Sequence, residues 1–97
     1  MFLPAVIRFN SAAESIQKEH RLQRMAHAMG LASGNDVAEA IQAMSARLGL
    51  PIGLAAMGVQ PAQFRHIIEG AMADHCHKTN PRIASADEYR ALLDQAM

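Results

Sequence analysis

The sequence is poor in aromatic residues and has no excess of charge of either sign. Only 4% of its 97 residues are aromatic and there is no tryptophan, so a core has to be built from aliphatic side chains and methionine. Nine Lys and Arg residues balance nine Asp and Glu residues. Because no basic cluster lies on one predicted face, the composition argues against DNA or RNA as a partner.

Cysteine and long apolar runs are also scarce. Cys76 is the single cysteine, which excludes an internal disulfide and any CxxC motif. The apolar stretch near the start, Leu3 to Ile7, is far shorter than the roughly 20 residues that cross a bilayer, and it lacks the charged flank of a signal peptide. We therefore expect no membrane association, a reducing compartment and a cytoplasmic location.

Small apolar residues at helical spacing are what the sequence has in abundance. Hydrophobic residues make up 51% of the chain, with nineteen alanines and seven methionines, a composition typical of a light, helix-prone core. No segment alternates with a period of two residues. The prediction is a single all-α domain over residues 1–97, a small bundle of four to five helices.

Capping signals and glycines predict the helix boundaries. Ser11 and Glu14 have capping-box spacing, which predicts a helix from about Ala12 to Met29 that ends at Gly30. The segment before it, Phe2 to Phe9, has no polar cap and is interpreted as continuing from upstream. Three further helices are predicted over about 37–48, 61–72 and 86–96, the last with a capping box at Ser85 and Glu88.

Chemically active side chains cluster in one run, Asp74 to Lys78. A metal ion requires three or four converging ligands, and adjacent residues such as His75 and Cys76 rarely point at one ion. A cysteine nucleophile would need a base, for which His75 and His77 are candidates by sequence proximity alone. Two interpretations stay open: a solvated loop, and a small metal or redox sensor that uses His75, Cys76 and His77.

The segment Asp74 to Arg82, DHCHKTNPR, resembles the Asp-x-Cys-Thr-x-x-Asn-Pro-Arg motif near the carboxyl end of iron-containing alcohol dehydrogenases. Three other segments resemble that family in the right order: Leu3-Pro4 with Arg8-Phe9-Asn10, then Leu48-Gly49-Leu50-Pro51, then Met57-Gly58-Val59. The resemblance covers essentially all 97 residues. It corresponds to the last quarter or so of the family's chain.

The resemblance implies a role in reversible hydride transfer between an alcohol and NAD(P), with Fe²⁺ or another divalent ion acting on the substrate oxygen. In the family, an Asp and three His bind the metal, and all four lie upstream of the matching region. None of this chain's histidines matches a ligand position: His20, His27, His66, His75 and His77. We therefore expect no cofactor to be bound by this chain alone and no activity without the missing N-terminal part of the enzyme.

The resemblance also implies a substrate pocket. Cys76 matches a position on the substrate side of the family's cleft, His77 replaces the usual Thr, and Asn80 belongs to a loop that shapes the cleft. These three residues are the predicted substrate-pocket residues. The alternative is that the loop is a structural connector, in which Arg82 pairs with a carboxylate of the missing part.

Exposed apolar helix faces lead us to expect self-association of the chain. A rival interpretation is a free-standing helical interaction module that binds a partner helix.

Overall fold

The computed structural model describes residues 1–97. It contains six α-helices and no strand, which confirms the all-α prediction. The helices are α1 (Leu3–Asn10), α2 (Glu14–Lys18), α3 (Arg21–Ala28), α4 (Val37–Arg47), α5 (Phe64–Ala73) and α6 (Ala86–Gln95). Short 3₁₀ turns lie at Gly34–Asp36, Ala55–Met57, Pro61–Gln63 and His75–Thr79.

The helix count exceeds the predicted four to five because the N-terminal third differs from the prediction. The first segment forms a helix of its own, with Pro4 in the first turn, where its missing N–H leaves no hydrogen bond unmade. The helix predicted over 12–29 is two helices, because His20 adopts a left-handed conformation with φ of 49°. That conformation interrupts the ladder of helical hydrogen bonds between Lys18 and Arg21.

The capping box predicted at Ser11 and Glu14 is wrong. Helix α2 begins after Ala13, which cannot cap with its side chain. The Ser11 hydroxyl instead donates to the carbonyl of Arg8 at 2.6 Å, within the C-terminal turn of α1. Ser11 belongs to the end of α1 and not to the start of α2. Its spacing from Glu14 alone therefore led to a wrong prediction.

Other predicted boundaries are confirmed. Gly30 has φ of 73°, the left-handed conformation that ends α3. The capping box of α6 is complete, since the Glu88 N–H donates to Ser85 Oγ at 3.2 Å and the Ser85 N–H donates to Glu88 Oε2 at 2.9 Å. These signals act within three or four residues, so they do not depend on the remainder of the fold.

The core consists of two small clusters. The first joins α1, α3 and α4 through Ile7, Ala26, Val37 and Ala38. The second joins α5 and α6 to the preceding loop through Leu54, Phe64, Leu93 and Ala96. Only 12 of the 97 residues are buried, which agrees with the light core expected from the composition.

The predicted apolar stripes are only partly buried. In α3 Ala26 is fully buried, but Met25 and Met29 are each 42% exposed. In α4 Val37 is fully buried, while Leu48, directly after the helix, is 66% exposed. None of the helices combines the length and the apolar character needed to cross a bilayer.

Candidate functional site

A cavity of about 400 Å³ lies between α1, α5, α6 and the loop that joins α5 to α6. Its apolar wall includes Val6, Ala71, Ala84 and Leu92. Its polar wall is made of Asp74, Cys76, His77, Asn80 and Tyr89. The volume and the mixture of apolar surface with a few polar groups are typical of a site for a small organic molecule.

All three predicted substrate-pocket residues line this cavity. Cys76 and His77 lie in the 3₁₀ turn His75–Thr79, and Asn80 follows it. The turn is started by Asp74, whose Oδ1 accepts the N–H of Cys76 at 2.7 Å. The structure thus brings Cys76, His77 and Asn80 together on one wall, and their contact with a substrate stays a prediction.

Asn80 is locked to the end of α1 by a reciprocal amide pair. Its Nδ2 donates to Asn10 Oδ1 at 2.7 Å, and Asn10 Nδ2 donates back to Asn80 Oδ1 at 3.0 Å. The second hydrogen of Asn80 Nδ2 is donated to the carbonyl of Arg82 at 2.5 Å. Both hydrogens of Asn80 Nδ2 are therefore donated to protein partners, so this residue offers the cavity no free donor.

Arg82 joins α1 to α6 beside the amide pair. Its guanidinium lies 4.0 Å from the centroid of the Phe9 ring and donates to the Phe9 carbonyl at 3.1 Å. It also pairs with Glu88 Oε1 at 2.5 Å. The carboxylate partner expected in the missing part is therefore supplied within this chain, by α6.

Glu88 carries two roles at once. The Ser85 backbone N–H lowers the pKa of its carboxyl group, and Arg82 lowers it further through a hydrogen bond and its charge. The ionised carboxylate caps α6 through Ser85 and anchors Arg82 through its other oxygen. The start of α6 and the end of the loop are consequently held by one side chain.

His77 and Tyr89 form the second polar pair of the cavity. The imidazole Nδ1 lies 2.9 Å from the Tyr89 hydroxyl oxygen, and the ring centroids are 5.7 Å apart. Both side chains are half-buried. Tyr89 is not among the predicted pocket residues, because it lies 12 residues from His77 in the sequence and no motif joins the two.

Asp74, His75 and Cys76 form a separate, exposed group whose possible ligand atoms lie within 4.8 Å of one another. Cys76 Sγ is 3.5 Å from His75 Nε2. The hydrogen bond and charge of Asp74 raise the pKa of the Cys76 thiol, while the Cys76 N–H lowers the pKa of Asp74. A thiol with a raised pKa is a weaker nucleophile and metal ligand at neutral pH.

This group does not fit the ion that the family resemblance implies. It contains one histidine, whereas that ion takes one Asp and three His. His77, the third residue of the sensor interpretation, is not a member of the group and contacts Tyr89 instead. No chemical step of a divalent ion is therefore assigned to residues of this chain.

The chain is similar over its whole length to a known protein family. The model of the Fe-containing alcohol dehydrogenase family, C-terminal, matches residues 1–97. A 4-hydroxybutyrate dehydrogenase of Cupriavidus necator is 50% identical over 95 residues, which is 98% of this chain and 25% of that protein. An NAD-dependent methanol dehydrogenase of Bacillus methanolicus is 26% identical over 99 residues, covering 98% of this chain and 26% of that protein. No solved structure matches. The chain spans about a quarter of the length of these relatives.

Proposed function

Because this chain belongs to the iron-containing alcohol dehydrogenase family and matches its C-terminal helical domain, we propose that it forms the substrate-facing wall of an NAD(P)-linked hydroxy-acid dehydrogenase. The proposed substrate is a short ω-hydroxy acid such as 4-hydroxybutyrate, oxidised to the corresponding aldehyde acid. The observation that carries this proposal is the cavity into which the loop places Cys76, His77 and Asn80. The 50% identity to a 4-hydroxybutyrate dehydrogenase supports the substrate class.

The chain contributes shape and polarity rather than the hydride chemistry. Val6, Ala71 and Leu92 provide apolar surface for a short methylene chain, and the polar wall faces its ends. Metal and nucleotide are supplied elsewhere in such an enzyme, so the 97 residues by themselves are expected to be inactive and to bind neither. A cytoplasmic location is part of the same proposal.

The surface supports a partner for this domain. Large apolar side chains with more than half of their area exposed include Leu3, Leu48, Ile52, Met57 and Ile83. In the proposed enzyme the N-terminal part covers such surface. In the isolated chain, self-association covers it, which sedimentation velocity would detect as a mass that rises with protein concentration.

A chimeric enzyme tests the proposed function. The 97 residues replace the matching 95 residues of the Cupriavidus necator enzyme, and oxidation of 4-hydroxybutyrate is followed by the absorbance of reduced nicotinamide. We expect a folded, active chimera and no activity from the 97-residue chain alone. A folded chimera that oxidises no hydroxy acid or alcohol would contradict the proposal.

A further inference from the structure

We propose that His77, held in place by Tyr89, binds the carboxylate end of the substrate and so selects hydroxy acids over simple alcohols. The inference deepens the function proposed above and rests on it. Tyr89 acts as the positioning residue, and the His77 ring makes the contact. The pair lies on the wall of the cavity, half-buried, and joins the loop to α6.

Few of the polar groups on the cavity wall still have a hydrogen to donate. Asn80 uses both amide hydrogens and accepts a bond from Asn10. Asp74 is acidic and can only accept once it is ionised. The Cys76 thiol is a weak donor and lies beside His75. The remaining strong donor is the His77–Tyr89 pair, which keeps one free hydrogen when the ring is neutral, because its other hydrogen lies in the bond between the two side chains.

The contact with Tyr89 determines which atom of His77 is available. When the Tyr89 hydroxyl donates to Nδ1, the neutral ring carries its hydrogen on Nε2, and that hydrogen can be donated to a ligand. When the ring is protonated, Nδ1 donates to the Tyr89 oxygen and Nε2 still carries a hydrogen. In a third state, a neutral ring with its hydrogen on Nδ1 donates to the Tyr89 oxygen and leaves Nε2 as an acceptor. The first two states leave Nε2 as a donor, so these are the states that can bind an anion.

The charges around the ring make a hydrogen-bond donor necessary for an anion. The titratable side chains that line the same cavity are Asp74, Cys76 and Tyr89. Asp74 is the acidic one, and its charge opposes a second carboxylate in the cavity. A hydrogen bond from Nε2 of His77 to the carboxylate offsets that opposition, because a bond to a charged acceptor is stronger than one to a neutral group. Binding of an acid is therefore expected to depend more on His77 than binding of a diol.

Direct binding to the 97-residue chain is the first test. The chain is labelled with ¹⁵N-histidine, and the ring signals are followed by NMR during titration with 4-hydroxybutyrate or, as a neutral probe of the same length, 1,4-butanediol. We expect the acid to shift the His77 ring signals, the Nε2 signal most, and the diol to shift them much less. His77→Thr should abolish acid binding, and Tyr89→Phe should weaken it and change the Nδ1 signal. His66→Thr, at an exposed position on α5, is the matched control.

The chimera provides the second test. Loss of a hydrogen bond to a charged group should raise the KM for 4-hydroxybutyrate about 10- to 100-fold in His77→Thr, with little change in kcat. The KM for 1,4-butanediol should change less than about 3-fold in the same variant.

The outcomes separate the two proposals. Equal responses of the His77 ring to acid and diol, or equal changes in the two KM values, would overturn the assignment of His77 even if the chimera is an active dehydrogenase. A chimera inactive on every substrate would contradict the proposed function, while an acid-selective shift of the His77 signals in the isolated chain would still support the binding pair. Circular dichroism of each variant excludes unfolding as the cause of a loss.

Discussion

The reciprocal amide pair between Asn10 and Asn80 predicts a definite coupling free energy in a double-mutant cycle. Asn80→Ala removes three hydrogen bonds, two with Asn10 and one to the Arg82 carbonyl. Asn10→Ala removes the two that it shares with Asn80. The double variant removes the same three bonds as Asn80→Ala alone.

The magnitudes follow from that count. At about 1 kcal/mol for each hydrogen bond, Asn80→Ala should lower the free energy of unfolding by about 3 kcal/mol and Asn10→Ala by about 2 kcal/mol. The double variant should lose about 3 kcal/mol rather than the sum of about 5, a coupling of about 2 kcal/mol. Against a typical stability of about 5 to 15 kcal/mol, each of these losses is large.

Urea unfolding of the 97-residue chain, followed by circular dichroism, measures the cycle. Asn35→Ala is the matched control, because the side chain of this third asparagine lies exposed in the turn before α4. Its effect should stay within about 0.5 kcal/mol. Additive losses in the double variant would contradict the predicted coupling, since they would mean that the two side chains do not bond to one another in solution.

Three other regions give predictions of their own. His20→Gly should stabilise the chain by about 1 kcal/mol in urea unfolding, because glycine adopts the left-handed conformation without strain. His27→Gly, inside α3, should destabilise it. A change in the free energy of unfolding of the same sign in both variants would contradict this account. The lowered pKa of Glu88 means that its contribution to stability is present above about 4.5, the ordinary pKa, and is lost as pH falls through the lower value in the folded chain. Glu88→Gln should therefore reduce the fall in the free energy of unfolding at acidic pH, and Asp87→Asn should reduce it less. An unchanged fall in Glu88→Gln argues against the bond to the Ser85 N–H. Zinc should be lost on equilibrium dialysis, and Cys76→Ala should behave like the parent chain, because the thiol is exposed and its pKa is raised. One retained zinc per chain that is lost in Cys76→Ala would favour the sensor interpretation.

Local signals in the sequence were sufficient for much of the helical framework. The capping box at Ser85 and Glu88 and the left-handed Gly30 were correctly read, because each acts through backbone groups only a few residues away. The same kind of signal failed at Ser11, where a competing bond to the Arg8 carbonyl ended one helix instead of starting the next. A capping motif indicates that a helix boundary is near. The neighbouring hydrogen bonds determine whether the capping residue belongs to the end of one helix or to the start of the next.

The break at His20 was beyond local prediction. Histidine has no preference for the left-handed conformation comparable to that of glycine, and no glycine or proline lies between residues 12 and 29 to mark a break. Packing of α3 against the turn at Gly34–Asp36 requires a close approach, since a Cβ on Gly34 would lie 2.9 Å from the backbone of Leu22 and Gln23. The turn at His20 changes the direction of the chain before α3, which is compatible with this close approach. The chain does not adopt the continuous helix predicted over 12–29.

The candidate site divides in the same way. The family resemblance pointed to Cys76, His77 and Asn80 before any contact was known, and the structure places all three on one cavity. It could not indicate that Asn80 bonds to Asn10, 70 residues away, or that Tyr89 completes a pair with His77. Such contacts join residues whose separation in the chain says nothing about their distance.

The sequence alone was enough to predict that the chain is helical, where α4 and α6 begin and end, how light its core is and to which family its motifs belong. Each of these properties depends on composition, on bonds spanning three or four residues, or on short motifs. Three features emerged only in the folded chain: α1 and α6 meet at the loop, Arg82 pairs with Glu88, and His77 contacts Tyr89 on the cavity wall. These outcomes required the packing of helices distant in sequence, because the atoms that make them become neighbours only after the chain has folded.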